Sequence, residues 1–398
     1  MSSTILPKIQ WQRQSQLDSN SVHSLLISLM RGLAALQVAA AHLRSEMFPG
    51  LKAMIDPPLY YQLLAFATGF AHQAVVVFFL ISGWLVGGSL LNRIGQPGAL
   101  LSYAIDRATR LWTVLVPAMC FMLAVGIFIA DADPGSADFA AANEYSATAF
   151  VGNLLGLQTV LVKNFGGNYA LWSLANETWY YIQFPLLLFV FMSRSRLRQL
   201  AAATALVLIA GALPQAITLY FTLWLLGALF SRVRIECGNG LRLALVAIGL
   251  GCSVWFRIHG SNDDLTFDSF LQDLVYSLPL LFILASLQRP LILRSAFNQG
   301  LAKVAHLLSE FSFTLYVIHI PTIKLLRYFG LQEFGRSKLA VDAPLDYAVY
   351  FGMLLALLGT AYVSYRLFES HTFRLRRAIK NAVQPQRVRP AIVSASAE

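Results

Sequence analysis

Apolar runs long enough to cross a lipid bilayer recur through this 398-residue chain, and they limit its fold more than any other feature. A transmembrane helix needs about 20 mostly apolar residues. Ten such stretches fall near 24–43, 72–92, 110–130, 170–192, 199–213, 215–231, 241–258, 268–287, 304–327 and 344–368. The first and ninth contain internal polar groups, and only Pro214 separates the fifth from the sixth. In hydrocarbon the backbone must satisfy its own hydrogen bonds, which favours helices for runs of this length. The composition agrees: 13% of residues are charged and the mean hydropathy is +0.60, against roughly 25% charged in an ordinary globular domain. The chain is therefore expected to be an all-α, polytopic membrane protein with about ten transmembrane helices and no soluble domain of any size. Residues 1–23 are expected to form a cytoplasmic N-terminal segment, 24–369 the membrane domain and 370–398 a basic cytoplasmic tail.

Lysine and arginine outnumber aspartate and glutamate 30 to 20. With the N-terminus inside, 20 of the 30 basic residues fall on the inner side and eight on the outer, while Arg31 and Arg366 are embedded. That asymmetry fits an even number of spans with both termini cytoplasmic, and it accounts for the net charge of +10 without a nucleic-acid partner. Cys120, Cys237 and Cys252 are unclustered, so neither a disulfide framework nor a metal site is expected. No P-loop or dinucleotide-binding glycine motif is present.

Ionisable groups inside a span are costly and mark candidate functional sites. Arg31 and His42 are eleven residues apart in the first span, which places them on one helix face about 16 Å apart along the axis. In the fourth span Ser173, Glu177 and Tyr181 recur every four residues and share a face. Glu177 could serve a cavity or be satisfied by Arg31 in a structural ion pair. In the ninth span Ser312, Tyr316 and His319 form another stripe, open to either cavity lining or helix–helix hydrogen bonding. Asp273 and Glu310 are equally open between packing and a lumen-facing role. Arg107 and Arg110, at i and i+3 on a helix entering from the cytoplasm, suit bidentate phosphate binding or simple positive-inside anchoring.

Four blocks in order give these residues a common reading. Arg31-Gly32-Leu33-Ala34-Ala35-Leu36 with Val38 and His42, Phe78-Phe79-Leu80-Ile81-Ser82-Gly83-Trp84-Leu85, the Arg107/Arg110 pair, and Trp172-Ser173-Leu174 with Glu177, Tyr180 and Tyr181 resemble the motifs of the acyltransferase-3 family of integral membrane acyltransferases. Tyr316 and His319 resemble its late Tyr-x-x-His element. The resemblance runs from about residue 24 to 369. It departs from the family where Ala74-Val75-Val76 replaces a frequent Gly-Val-Asp.

The resemblance implies an O-acyltransferase, in the first place an O-acetyltransferase, of a bacterial cytoplasmic (inner) membrane. Acetyl-coenzyme A or another acyl-coenzyme A would be the donor, and a cell-envelope or secreted carbohydrate, or a lipid-linked glycan, the acceptor, as in polysaccharide modification. No metal is expected, and the oligomeric state is open. Under this reading His42, Glu177 and Arg31 are the catalytic candidates, with His42 a general base or a transient acyl carrier. Arg107 and Arg110 would hold the coenzyme, and Ser82, Trp172, Ser173, Tyr181, Tyr316 and His319 would line the substrate cavity. A transporter or flippase of a glycan or lipid precursor is the competing class, although the paired broken helices of inverted repeats are not evident.

Overall fold

The structure is a computed structural model and describes residues 7–16, 20–132, 145–260, 265–291, 296–332 and 335–383. Arg294, Arg387 and Arg389, three of the inner-side basic residues, lie outside the described residues, as does the tail beyond Val383.

Among the described residues the chain is all-α apart from one short ribbon. In order, the helices are α1 (Val22–Met47), α2 (Leu59–Ala67), α3 (Ala71–Ser82), α4 (Gly88–Arg93), α5 (Ala99–Ala132), α6 (Ala147–Leu154), α7 (Trp172–Met192), α8 (Arg196–Ala212), α9 (Gln215–Phe230), α10 (Asn239–His259), α11 (Phe267–Ser286), α12 (Ala296–Glu310), α13 (Ser312–Gly330), α14 (Pro344–Leu367) and α15 (Thr372–Val383). A π-helical turn over Gly83–Gly87 joins α3 to α4. Strand β1 (Lys8–Trp11) pairs antiparallel with β2 (Val233–Glu236), from Lys8 opposite Glu236 to Trp11 opposite Val233. Sequence periodicity gave no sign of this ribbon.

All ten apolar stretches fall on helices, but fewer meet the requirement for a span. Among the described residues six helical segments are long and apolar enough to cross a membrane, or seven if one bent pair counts as a single span. The expected ninth span is that pair: it breaks at Phe311, and its halves meet at 56°. Helices α8 and α9 are only 17 and 16 residues long, because Pro214 cannot continue the preceding helix. The first half of α7 is made polar by Ser173, Asn176, Glu177 and Thr178.

Helix α1 is the hub, packed against α3, α12, α13 and α14. Its inner stripe is built from small residues, including Ala34, Ala35, Ala39 and Ala40, which let neighbouring backbones come close. At Gly32 a methyl group would sit 2.5 Å from the Leu308 Cβ, so the glycine beside Arg31 is what allows α12 to lie against α1. A second close crossing joins α3 and α9. A Cβ on Gly83 would collide with the Trp224 carbonyl oxygen, and one on Gly227 with that of Leu80.

Polar contacts sort the connections into two ends. At one end Ser15 bonds Asn92 and Ser231, both at 2.8 Å, and Asp106 pairs with Arg93, Arg376 and Lys380. The segment after β1 and helix α15 therefore share one end of the bundle. At the other end Arg327 pairs with Glu46 at 3.3 Å, and Lys338 Nζ donates to the Glu46 carbonyl at 2.7 Å.

Candidate active site

A cavity of about 570 Å³ opens among α1, α3, α4, α5, α7, α12, α13 and α15. Its wall brings together Arg31, Ser82, Arg107, Arg110, Ser173, Glu177, Tyr181 and Tyr316, eight of the eleven residues expected to serve catalysis, coenzyme binding or the substrate cavity. The other three lie off the wall. Trp172 turns its ring edge-on to Phe79 at 6.1 Å, because position 172 is one residue away from the Ser173–Glu177–Tyr181 stripe. His42 and His319 lie beyond Tyr316, paired with each other.

Glu177 is held by hydrogen bonds, and among the described residues it forms no ion pair with Arg31. Its Oε1 accepts from Ser82 Oγ and from the Tyr181 hydroxyl, both at 2.5 Å. Trp224 Nε1 in turn donates to Ser82 Oγ at 3.1 Å. The close α3–α9 crossing at Gly83 brings Trp224 within that reach. The Ser-Gly of the second block thus has two separate uses: the serine holds Glu177, and the glycine admits the helix carrying Trp224. Nothing in the period of α9 singles out Trp224, so sequence reasoning missed it.

Arg31 donates to Ser312 Oγ at 3.5 Å, at the start of α13. About 16 Å of α1 separates it from His42, too far for both to touch one reacting carbonyl. Of the three catalytic candidates, Arg31 and Glu177 lie on the cavity wall and His42 does not. His42 belongs to a separate imidazole pair.

That pair is tightly defined. His42 Nδ1 lies 2.7 Å from His319 Nε2, with the rings stacked at 5.0 Å and 24°. His319 Nδ1 lies 2.6 Å from the Tyr316 carbonyl oxygen. A carbonyl only accepts, so His319 Nδ1 carries the hydrogen. Neutral His319 then presents a lone pair at Nε2, His42 Nδ1 must donate to it, and the lone pair of His42 falls on Nε2. The hydrogen-bond network alone assigns this tautomer. His319 is fully buried and hydrogen-bonded to the half-buried His42, whose lone pair stays at Nε2.

The imidazole pair touches one lining residue of each of two pockets. On one side Tyr316, its ring 5.8 Å from that of His319, lines the large cavity and bonds Ser173 Oγ at 2.6 Å. On the other, Tyr169 meets the His42 ring edge-on at 5.1 Å and lines a second pocket of about 80 Å³ with Glu46, Lys324 and Arg327. Tyr169 carried no sequence signal.

Asp273 is a packing residue. It is 3% exposed and accepts from His72 at 2.7 Å, Tyr220 at 2.5 Å and Tyr276 at 2.6 Å. Glu310 lies at the cavity wall and accepts from the Tyr365 hydroxyl at 3.3 Å.

A family profile described as an acyltransferase domain matches residues 25–364. Comparison with curated proteins and with solved structures gives no match. The profile spans most of the chain, including α1 with Arg31 and His42 and α13 with Tyr316 and His319, and apolar helices of spanning length accompany it. The chain belongs to the acyltransferase-3 family and is an integral membrane acyltransferase.

Proposed function

We propose that the protein is an O-acetyltransferase of a bacterial cytoplasmic membrane, moving an acetyl group from acetyl-coenzyme A to a hydroxyl of a cell-envelope or secreted carbohydrate. The observation that carries this reading is the contact of the His42–His319 pair with one lining residue of the large cavity and one of the small pocket. Such an arrangement suits two substrates that approach one base from different pockets. Ten crossings with both termini cytoplasmic fit the charge asymmetry, and the N-terminal segment and α15 lie at the same end, where Asp106 gathers three cations. In this orientation the large cavity opens to the cytoplasm, where acyl-coenzyme A is found.

The donor's phosphates sit at the arginine-rich mouth, and its pantetheine arm runs inward between Arg31 and Glu177. The thioester reaches past Tyr316 to His42. The acceptor hydroxyl comes from the Tyr169 side, and His42 Nε2 takes its proton as the oxygen attacks the thioester carbonyl. The new C–O ester bond forms, the C–S bond breaks, and the departing thiolate takes the proton from His42. His319 holds the tautomer throughout.

The deciding experiment supplies purified protein with labelled acetyl-coenzyme A and candidate glycans, and follows ester formation together with release of the free thiol. Movement of a glycan across the membrane with no thiol released would replace this reading with transport. An acetylated protein trapped without acceptor would replace direct transfer with an acyl-histidine step.

A further inference from the structure

Arg107 and Arg110 share a helix side by their i, i+3 spacing, yet their surroundings differ. Arg110 is occupied. Its Nη1 pairs with Glu369 Oε1, and its guanidinium lies 4.9 Å from the centre of the Phe313 ring. Glu369 is 4% exposed, and its other oxygen accepts from the Thr314 backbone N–H at 3.2 Å and hydroxyl at 2.5 Å. A phosphate that took Arg110 would strand this buried carboxylate. Arg107 is different: among the described residues it forms no hydrogen bond or ion pair, and its buried Nε lacks a partner. Its guanidinium is held over the rings of Tyr103 and Tyr181 at 5.9 and 5.6 Å while lining the cavity.

A fourth arginine, besides Arg31 and this pair, lines the same cavity from α15. Arg376 Nε lies 3.3 Å from both Thr109 Oγ1 and Asp106 Oδ1, and Nη2 is 3.5 Å from the Asp106 carbonyl oxygen. These contacts leave Nη1 without a partner among the described residues. Asp106 is itself shared, since Arg93 and Lys380 also reach it, at 3.3 and 2.6 Å. Beside Arg107, the single carboxylate of Asp106 is thus shared by Arg93, Arg376 and Lys380. Positive charge is in local excess there, carried partly by guanidinium groups suited to phosphate oxygens.

We propose that Arg376 and Arg107 form the binding site for the phosphate groups of a nucleotide-bearing donor, and that Arg110 is a positioning residue that anchors Glu369. The same anchor brings Arg376 to the mouth. Glu369 opens a short 3-10 turn, Glu369–His371, that leads into α15, and its carbonyl accepts from Thr372 Oγ1 at 2.7 Å where that helix begins. This inference rests on the acyl-coenzyme A reading of the donor.

The test measures coenzyme A binding by calorimetry on the full-length protein in lipid nanodiscs. Arg376→Gln and Arg107→Gln should each weaken binding about tenfold or more, as expected for the loss of a charge-assisted hydrogen bond, with Arg376→Lys recovering part of the loss. If the two arginines hold one ligand group, the double variant should lose less than the product of the single losses. Arg374→Gln, at an exposed position of the same helix, should bind as wild type. A purely structural role for Arg376 would lower thermal stability, and added coenzyme A would then raise the melting temperature of Arg376→Gln as much as that of wild type. Wild-type affinity in Arg376→Gln would overturn the proposal and leave the donor reading standing. Failure of wild-type protein to bind coenzyme A would overturn both. Should Arg376→Gln fail to fold, Arg376→Lys and Arg107→Gln decide, and unchanged affinity in both would overturn the proposal.

Discussion

His42 donates from Nδ1 to His319 Nε2 across 2.7 Å, and the Tyr316 carbonyl oxygen fixes that direction by claiming the single ring N–H of neutral His319. One imidazole is thereby committed to orienting the other. His42→Ala is expected to reduce transfer by about 10²–10⁴-fold, the usual contribution of a general base. His319→Ala leaves His42 in place but frees its ring and its tautomer, and a displaced reacting group costs about 10²-fold. Neither change should raise the donor KM, because both residues lie off the cavity wall. A His319→Ala enzyme with wild-type kcat in the labelled-acetyl assay would remove the orienting role.

Glu369 joins three parts of the molecule: Arg110 on α5, the first turn of α13 and the start of α15. Removing one partner from a buried ion pair leaves an uncompensated charge and costs about 3–5 kcal/mol. Glu369→Ala and Arg110→Ala should both lower the melting temperature in detergent. Arg107→Ala, which has no ion pair to lose, should melt as wild type. Equal melting temperatures for all three variants would show that the Arg110–Glu369 contact contributes no stability.

Much of this arrangement could be read from periodicity, because Arg31, His42, Glu177 and Tyr316 each lie on a stripe within one helix. What could not be read was how stripes on different helices meet. Spacing along α1 correctly put Arg31 and His42 on one face, but Tyr316 comes from α13 and divides the space between them. The Arg-x-x-Arg spacing marked two equivalent arginines, and the difference between them comes from Glu369, 259 residues away from Arg110. Trp224 and Tyr169 act through single contacts at chain crossings, which leave no repeat to detect. The ribbon of β1 and β2 joins two four-residue segments more than 200 positions apart, too short for alternation to register.

Gly83 allows α3 and α9 to cross with backbone against backbone. Gly83→Ala drives a methyl group into the Trp224 carbonyl oxygen, and overpacking of this kind costs about 1–3 kcal/mol or more. The shift would also withdraw Trp224 Nε1 from Ser82 and loosen Glu177. Both melting temperature and turnover should fall. Ser82→Ala keeps the crossing, so its turnover should fall with little loss of stability. If Gly83→Ala melted at the wild-type temperature, the tight crossing would not be needed.

Membrane orientation can be tested independently of catalysis. Lys52 and Arg374 are both exposed and lie at opposite ends of the bundle, Lys52 just after α1 and Arg374 on α15. In a background with Cys120, Cys237 and Cys252 changed to serine, Lys52→Cys should react with a membrane-impermeant maleimide in intact cells. Arg374→Cys should react only after permeabilisation. The inner face would then carry Asp106, Arg107 and Arg376, and the large cavity would open toward cytoplasmic acyl donors. The reverse labelling pattern would turn that mouth away from the cytoplasm, and acyl-coenzyme A could not be its donor.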